Sequence, residues 1–178
     1  MSKHEFLEVP NTMNSRTPVM CAAKYWLAAM LQPVVKEKSM EGPKYPHELE
    51  LDVRDYECDL QGVVNNAVYL HYLEHARHDW LRSLGLDFSA LHRAGIDLVA
   101  VRVEIDYRFP LRSGDRFAVR SSIRREGRLK LIFLQEIYRV PDQKPIVQAR
   151  VVVTGLQNGR PALPDAITGA LEKVLTDT

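Results

Sequence analysis

The chain has 178 residues, 46% of them hydrophobic and 26% charged, with a formal net charge of +1. That length suits one domain plus an extension, large enough to bury a core without metals or disulfides. A charge this close to zero removes any global electrostatic case for nucleic acid or an anionic membrane, and Cys21 and Cys58, outside any CxxC pair, make no disulfide framework.

Residues 1–45 carry scattered Met, Pro, Asn, Ser and Lys and read as an N-terminal extension; residues 46–178 read as the folded domain. The one apolar run of the extension, Val19 to Val35, is interrupted by Lys24, Gln32 and Pro33, so it reads as a short amphipathic helix and not as a membrane span. Glu5 and Glu8 count against a transit peptide. A reducing cytoplasm is the natural compartment.

Regular patterning starts at His47. Leu49, Leu51 and Val53 alternate with Glu48, Glu50 and Asp52, which predicts a strand over 47–53. A glycine-containing loop follows at 59–66. Over 66–84, Val68, Tyr72, Ala76 and Trp80 recur every fourth residue, widened by Tyr69, Leu73 and Leu84, as one apolar stripe of a long helix. Asn65 or Asn66 suits its N-cap, and Gly85 suits the position just past its end. A short helix is expected at Ser89–Ala94, closed by Gly95.

Strand signals fill the rest. Val99, Val101, Val103, Ile105, Tyr107 and Phe109 alternate with Arg102, Glu104, Asp106 and Arg108, predicting a half-buried strand. Strands are also expected over 115–124, 129–140 and 146–156, the second apolar on both faces and therefore central. Turn residues at 110–114, 126–127, 141–145 and 158–159 separate them. Pro164 opens a terminal helix over about 165–175. The order strand, long helix, then hairpin-linked strands predicts an α+β fold with an antiparallel sheet, the helix burying its stripe against one sheet face.

The segment Asp59-Leu60-Gln61-Gly62-Val63-Val64-Asn65-Asn66 carries the chemistry. Unpaired N–H groups at a helix start form an anion site. They would stabilise a carbonyl oxygen that gains charge under attack. A carboxylate a few residues upstream can attack that carbonyl or activate water. Spacing alone favours the plainer reading, in which Asp59 is a capping aspartate and Gly62 a turn glycine, because both are so common near helix starts.

The wider pattern Asp59-x-x-Gly62-Val63-Val64-Asn65-Asn66-Ala67-x-Tyr69-x-x-Tyr72 resembles the signature of hotdog thioesterases of the 4-hydroxybenzoyl-CoA thioesterase type. The resemblance is closer still to plant acyl-lipid thioesterases, including the methylketone-synthase thioesterases that act on 3-ketoacyl chains. It continues through the blocks Val53–Tyr56, Pro110–Phe117 and Pro141–Ile146, and spans about 47–165. The resemblance implies a hotdog fold, a long helix wrapped by five or six antiparallel strands. It implies hydrolysis of fatty acyl or 3-ketoacyl thioesters of acyl carrier protein or coenzyme A. Asp59 would be nucleophile or general base, the Asn66 backbone N–H would polarise the thioester carbonyl, and Gly62 would let the loop approach closely. Val63, Val64 and Asn65 would face substrate. The family's metal-free chemistry, its dimers and tetramers, and its interfacial acyl tunnels come with the resemblance, as does a plastid location if the source is a plant.

Other signals compete. His71-Tyr72-Leu73-Glu74-His75 spells H-x-x-E-H, a zinc pattern. A catalytic zinc needs a third protein ligand, and none is apparent, so no metal or cofactor is expected. Cys58 reads as an ordinary buried cysteine. Tyr69, Tyr72, Leu73 and Trp80 either line an acyl tunnel or form plain core. Arg124, Arg125, Arg128 and Lys130 flank the Glu126-Gly127 turn, either as contacts for coenzyme A phosphates or an acidic carrier protein, or as a solvated hairpin tip. A hotdog hydratase or dehydratase is an alternative, although no histidine stands in the 59–66 loop. A non-catalytic acyl-CoA-binding module is another.

Overall fold

The computed structural model describes residues 45–175. The helix expected within Val19–Val35, and the extension apart from Tyr45, lie outside them. The elements are β1 (His47–Asp52), a 3-10 turn (Asp55–Glu57), α1 (Asn66–Ser83), α2 (Phe88–Arg93), β2 (Ile96–Tyr107), β3 (Arg116–Glu126), β4 (Lys130–Arg139), β5 (Lys144–Gln157), β6 (Arg160–Pro161) and α3 (Asp165–Leu171). The strands form one antiparallel sheet in the order β1-β3-β4-β5-β2, with β6 added to β5. This is the expected α+β hotdog architecture.

Helix α1 starts and stops for local reasons. The Asn65 side chain accepts the Ala67 N–H, so Asn65 is the N-cap. At the other end Gly85 takes a φ of +87°, the left-handed conformation that terminates helices. Between them Tyr69, Tyr72, Leu73, Ala76, Trp80 and Leu81 are buried against the sheet. The first half of the helix packs on Phe117, Val119, Ile137 and Val147. The second half packs on Ile123, Leu131, Phe133 and Val153, with Ile167 and Leu171 of α3 closing that end.

A polar layer sits between these two apolar clusters. Gln135 is fully buried; its amide N–H groups donate to the Leu73 carbonyl and the Ser121 hydroxyl, both at 3.0 Å. Its carbonyl accepts from Arg77 of α1 at 2.9 Å. Every polar group of the amide is thereby satisfied, as burial requires.

Three expectations need correction. The strand expected to begin at Val99 begins at Ile96, and its apolar residues are not half-buried throughout. Val101 is 55% and Val103 42% exposed. The reason is topological: among the described residues β2 is an edge strand paired only with β5, and a register shift between Ala100 and Arg102 disturbs the alternation at Val101. Pro164 is the N-cap of α3 and not a residue of its first turn, and the helix ends at Leu171. Cys58 is half-buried, bridged to Val64 by backbone pairing.

Leu73 lies at 0% exposure in the centre of α1. Leu73→Ala removes its methyl groups and leaves a cavity, which costs about 2–5 kcal/mol. Urea unfolding is expected to show a lower midpoint of that size with an unchanged slope.

Candidate active site

The segment before α1 is shaped by its own side chains. The 3-10 turn ends at Glu57, and Cys58 pairs with Val64, so residues 59–63 close as a tight loop. The Asp59 N–H donates to the Val63 carbonyl at 2.9 Å, and the Gly62 N–H donates to the Asp59 carbonyl at 3.0 Å. Gly62 has φ +71°, a conformation that side-chain-bearing residues rarely adopt, so this turn needs glycine.

The Asp59 carboxylate stands exposed on this loop. Its Oδ1 accepts the Gln61 N–H at 2.8 Å and the Val63 N–H at 3.5 Å. Among the described residues, Oδ2 has no hydrogen-bond partner. One oxygen is therefore orienting and the other is available. The loop carries Leu60, wholly exposed, and Tyr56 in the preceding 3-10 turn is 79% exposed. Both are apolar groups that ordinary folding would cover.

The start of α1 is held from several directions. The Asn65 N–H donates to the Glu57 carbonyl and the Val64 N–H to the Leu111 carbonyl, each at 2.9 Å. The Ala67 and Val68 N–H groups are taken by the Asn65 side chain and carbonyl. Among the described residues the Asn66 N–H has no protein acceptor, which leaves one donor of the helix end for a ligand. Tyr107 donates its hydroxyl to the Asn66 carbonyl at 3.0 Å.

Tyr69 and Tyr72 lie beneath the loop as buried braces. The Tyr69 oxygen accepts the Leu111 N–H at 2.9 Å. The Tyr72 hydroxyl donates to Glu57 at 2.6 Å. Burial pushes the Tyr69 phenol up to about 12. Burial, then the bond to Glu57, raises Tyr72 well above the ordinary tyrosine value. Both stay neutral near pH 7 and act by hydrogen bonding, not as bases.

The residues expected at the site thus divide. Asp59, Gly62, Val63, Val64, Asn65 and Asn66 are brought together on the loop and helix start, with Val64 buried and Val63 partly so. Tyr69 and Tyr72 support the loop from the core. Arg125 and Arg128 are not brought to Asp59 within this chain. The loop adjoins the segment just before β3 through the Val64 N–H to Leu111 carbonyl bond and through Arg112 beside the Gly62 carbonyl. Arg125 lies at the other end of β3 and Arg128 just past it, about 30 Å away at the usual strand rise. There Arg125 donates to the carbonyls of Gly127 and Arg128.

Two contributors escaped the sequence reading. Glu57 is buried, accepting the Arg54 N–H at 2.7 Å as well as the Tyr72 hydroxyl. Arg112 Nη1 lies 3.4 Å from the Gly62 carbonyl, 50 residues away in sequence. Glu57 stands two residues before Asp59, and an acid so close to a buried tyrosine stripe is the one signal that pointed to it.

Of the zinc-like motif, His71, Glu74 and His75 are exposed on α1. His78 lies 4.7 Å from the Phe88 ring, and burial lowers its pKa. Among the described residues, no three His, Cys, Asp or Glu side chains gather as a metal site.

Comparison with known proteins agrees with this architecture. Residues 53–171 match the family model of the thioesterase-like superfamily. The chloroplastic acyl-acyl carrier protein thioesterase ATL3 of Arabidopsis thaliana is 34% identical over 164 residues, covering 86% of this chain and 86% of that protein. The ATL2 protein of the same plant, likewise named a chloroplastic acyl-acyl carrier protein thioesterase, is 42% identical over 112 residues, or 63% of this chain and 60% of its own length. Among solved structures, Slr0204 of Synechocystis, a 1,4-dihydroxy-2-naphthoyl-CoA thioesterase, superposes with a TM-score of 0.67 at 22% identity, covering 72% of this chain and 96% of its own; this supports the fold. With a family match running from Val53 to Leu171 and a relative alike over most of both lengths, the chain belongs to the thioesterase-like superfamily and is a hotdog-fold thioesterase.

Proposed function

We propose that the chain hydrolyses fatty acyl thioesters, 3-ketoacyl chains included, carried by acyl carrier protein or coenzyme A, with Asp59 as the reacting carboxylate. The observation that carries this reading is the pairing of an oriented carboxylate with an open donor. Asp59 Oδ1 is held by the Gln61 and Val63 N–H groups, its Oδ2 is unengaged, and the Asn66 N–H at the helix start has no acceptor among the described residues. The names of the two plant relatives support the acyl carrier protein as one carrier.

In this mechanism the thioester carbonyl oxygen sits on the Asn66 N–H, with the positive end of the α1 dipole behind it. Asp59 Oδ2 attacks the carbonyl carbon, or takes a proton from a water that does. In the first route the carbon–sulfur bond breaks to give thiolate and an acyl-Asp59 anhydride. A water then hydrolyses the anhydride to free acid and the regenerated carboxylate, its proton going to the thiolate. In the second route the proton that Asp59 takes from the attacking water passes to the departing thiolate. Both routes consume one water and end in free acid and thiol. Tyr72, Glu57 and Tyr69 hold the loop but do not touch the reacting atoms; they are positioning residues.

We further infer that the working unit is a dimer, alone or stacked into a tetramer. Strand β2 runs 12 residues with one edge unpaired among the described residues and with Val101 and Val103 exposed, an edge that monomers normally protect. A second copy adding its own β2 would cover it. We assign the chain to the cytoplasm, or to the plastid in a plant. No helix among the described residues is long and apolar enough to cross a membrane.

Asp59→Asn keeps the Oδ1 acceptor that closes the loop and loses the charge. An unchanged melting temperature with at least a ~100-fold fall in thiol release is expected; full turnover would remove Asp59 from the reaction. The donor is tested by Asn66→Pro against Asn66→Ala. Proline is tolerated at the first helical position, and Asn65 already has the extended φ of −60° and ψ of 138° that a following proline requires. Loss of this single N–H is expected to lower kcat by about 10²–10³-fold, whereas the alanine variant stays near wild type; equal activity in both would refute the donor role. Sedimentation of the wild-type protein is expected to give at least a dimer mass that Val101→Asp reduces, and a wild-type monomer would end the dimer reading.

A further inference from the structure

A cleft of about 130 Å³ opens along α1, lined by Leu70, His71, Glu74 and Arg77 of the helix, Val103 of β2 and Val151 of β5. Leu70 and Val103 are large apolar groups left 38% and 42% exposed. Arg77 is set differently from a surface arginine. Its Nη1 donates to Gln135, whose own N–H groups are committed to Leu73 and Ser121, so the Gln135 oxygen must face Arg77. The guanidinium lies 5.9 Å from the Phe133 ring centre. Burial lowers its proton affinity, although an arginine keeps its charge. Among the described residues it forms no ion pair, and Glu74 faces the same cleft one turn back.

The cleft also lies at a telling distance from the proposed thioester position. Counted from Asn66 at 1.5 Å per residue, Leu70 stands about 6 Å and Arg77 about 16 Å up the helix. We propose that Arg77, fixed by Gln135, is the length gauge for the acyl chain: a tail anchored at the start of α1 gains from Leu70, Val103 and Val151 until it reaches the guanidinium, and no further. This rests on the thioesterase reading for the tail's origin. Each methylene buried along the apolar part raises affinity about fourfold. A methylene pressed on Arg77 instead strips water from a charge that has one protein acceptor among the described residues, and that gain disappears.

Binding of S-alkyl coenzyme A thioethers, which cannot be hydrolysed, tests the gauge. Affinities for a series of chain lengths would be measured by calorimetry on the wild type, on Arg77→Met and on the double variant Arg77→Met/Gln135→Leu. The double variant removes both ends of the buried hydrogen bond and guards against misfolding of the single one. Wild-type affinity is expected to climb and then level off. In the folded variants it keeps climbing, so that the longest chains bind at least tenfold more tightly than to the wild type. The same plateau in all three proteins, a uniform loss at every length, or no binding to the wild type would overturn the gauge. Thiol release from the matching acyl thioesters reads the other question separately. Chains that bind with the shifted plateau but release no thiol contradict hydrolysis and leave the gauge standing.

Discussion

The Asn65 N–H donates to the Glu57 carbonyl, and the Asn65 side chain accepts the Ala67 N–H. Those two bonds set where α1 begins, and the rest of the site depends on that. If the helix started one residue later, its apolar stripe would rotate by about 100° at 3.6 residues per turn, and Leu73 and Ala76 would leave the core. Burial of the stripe and capping of the first turn therefore select the same register. The open Asn66 N–H is a by-product of that agreement: Asn65 can satisfy the donors of Ala67 and Val68 but has nothing left for its immediate neighbour.

The core reaches the loop through two tyrosines. Tyr69 and Tyr72 are three residues apart on the buried face of α1, and each carries one polar atom beyond its ring. Tyr69 ends at the Leu111 N–H and Tyr72 at Glu57. With the Tyr72 ring packed on Phe117 and the Tyr69 ring on Tyr107, the two hydroxyls position the segments on both sides of Asp59. In the proposed mechanism this would keep donor and carboxylate organised before substrate arrives, since groups that had to reorganise during reaction would give that energy back.

A second polar device, the Arg77–Gln135–Ser121 layer, interrupts the core further along the helix. A buried amide with every polar group satisfied, as in Gln135, specifies how sheet and helix meet. Its partners lie 58 and 62 residues from Gln135 along the chain for Arg77 and Leu73. No local pattern relates them, which is why the strand over 129–140 read simply as apolar on both faces.

The sequence by itself determined the elements whose signals are local: the 3.6-residue stripe of α1, its cap and terminating glycine, the turns between β3, β4 and β5, and the Asp59–Asn66 segment with its family signature. Each depends on residues within a few positions of one another, and the corresponding structure follows. Only the tertiary structure decided what depends on strand order. Val101 and Val103 alternate like half-buried residues, yet they lie exposed because β2 closes the sheet on one side only. Arg125 and Arg128 could be read as contacts for the substrate's carrier, yet within this chain the length of β3 separates them from Asp59. Glu57 became a buried acceptor because α1 folds back to bring Tyr72 to it, a contact 15 residues distant. Local patterns encode backbone conformation through side-chain periodicity and capping, whereas burial and proximity are set by which strands become neighbours, and that is a property of the whole chain.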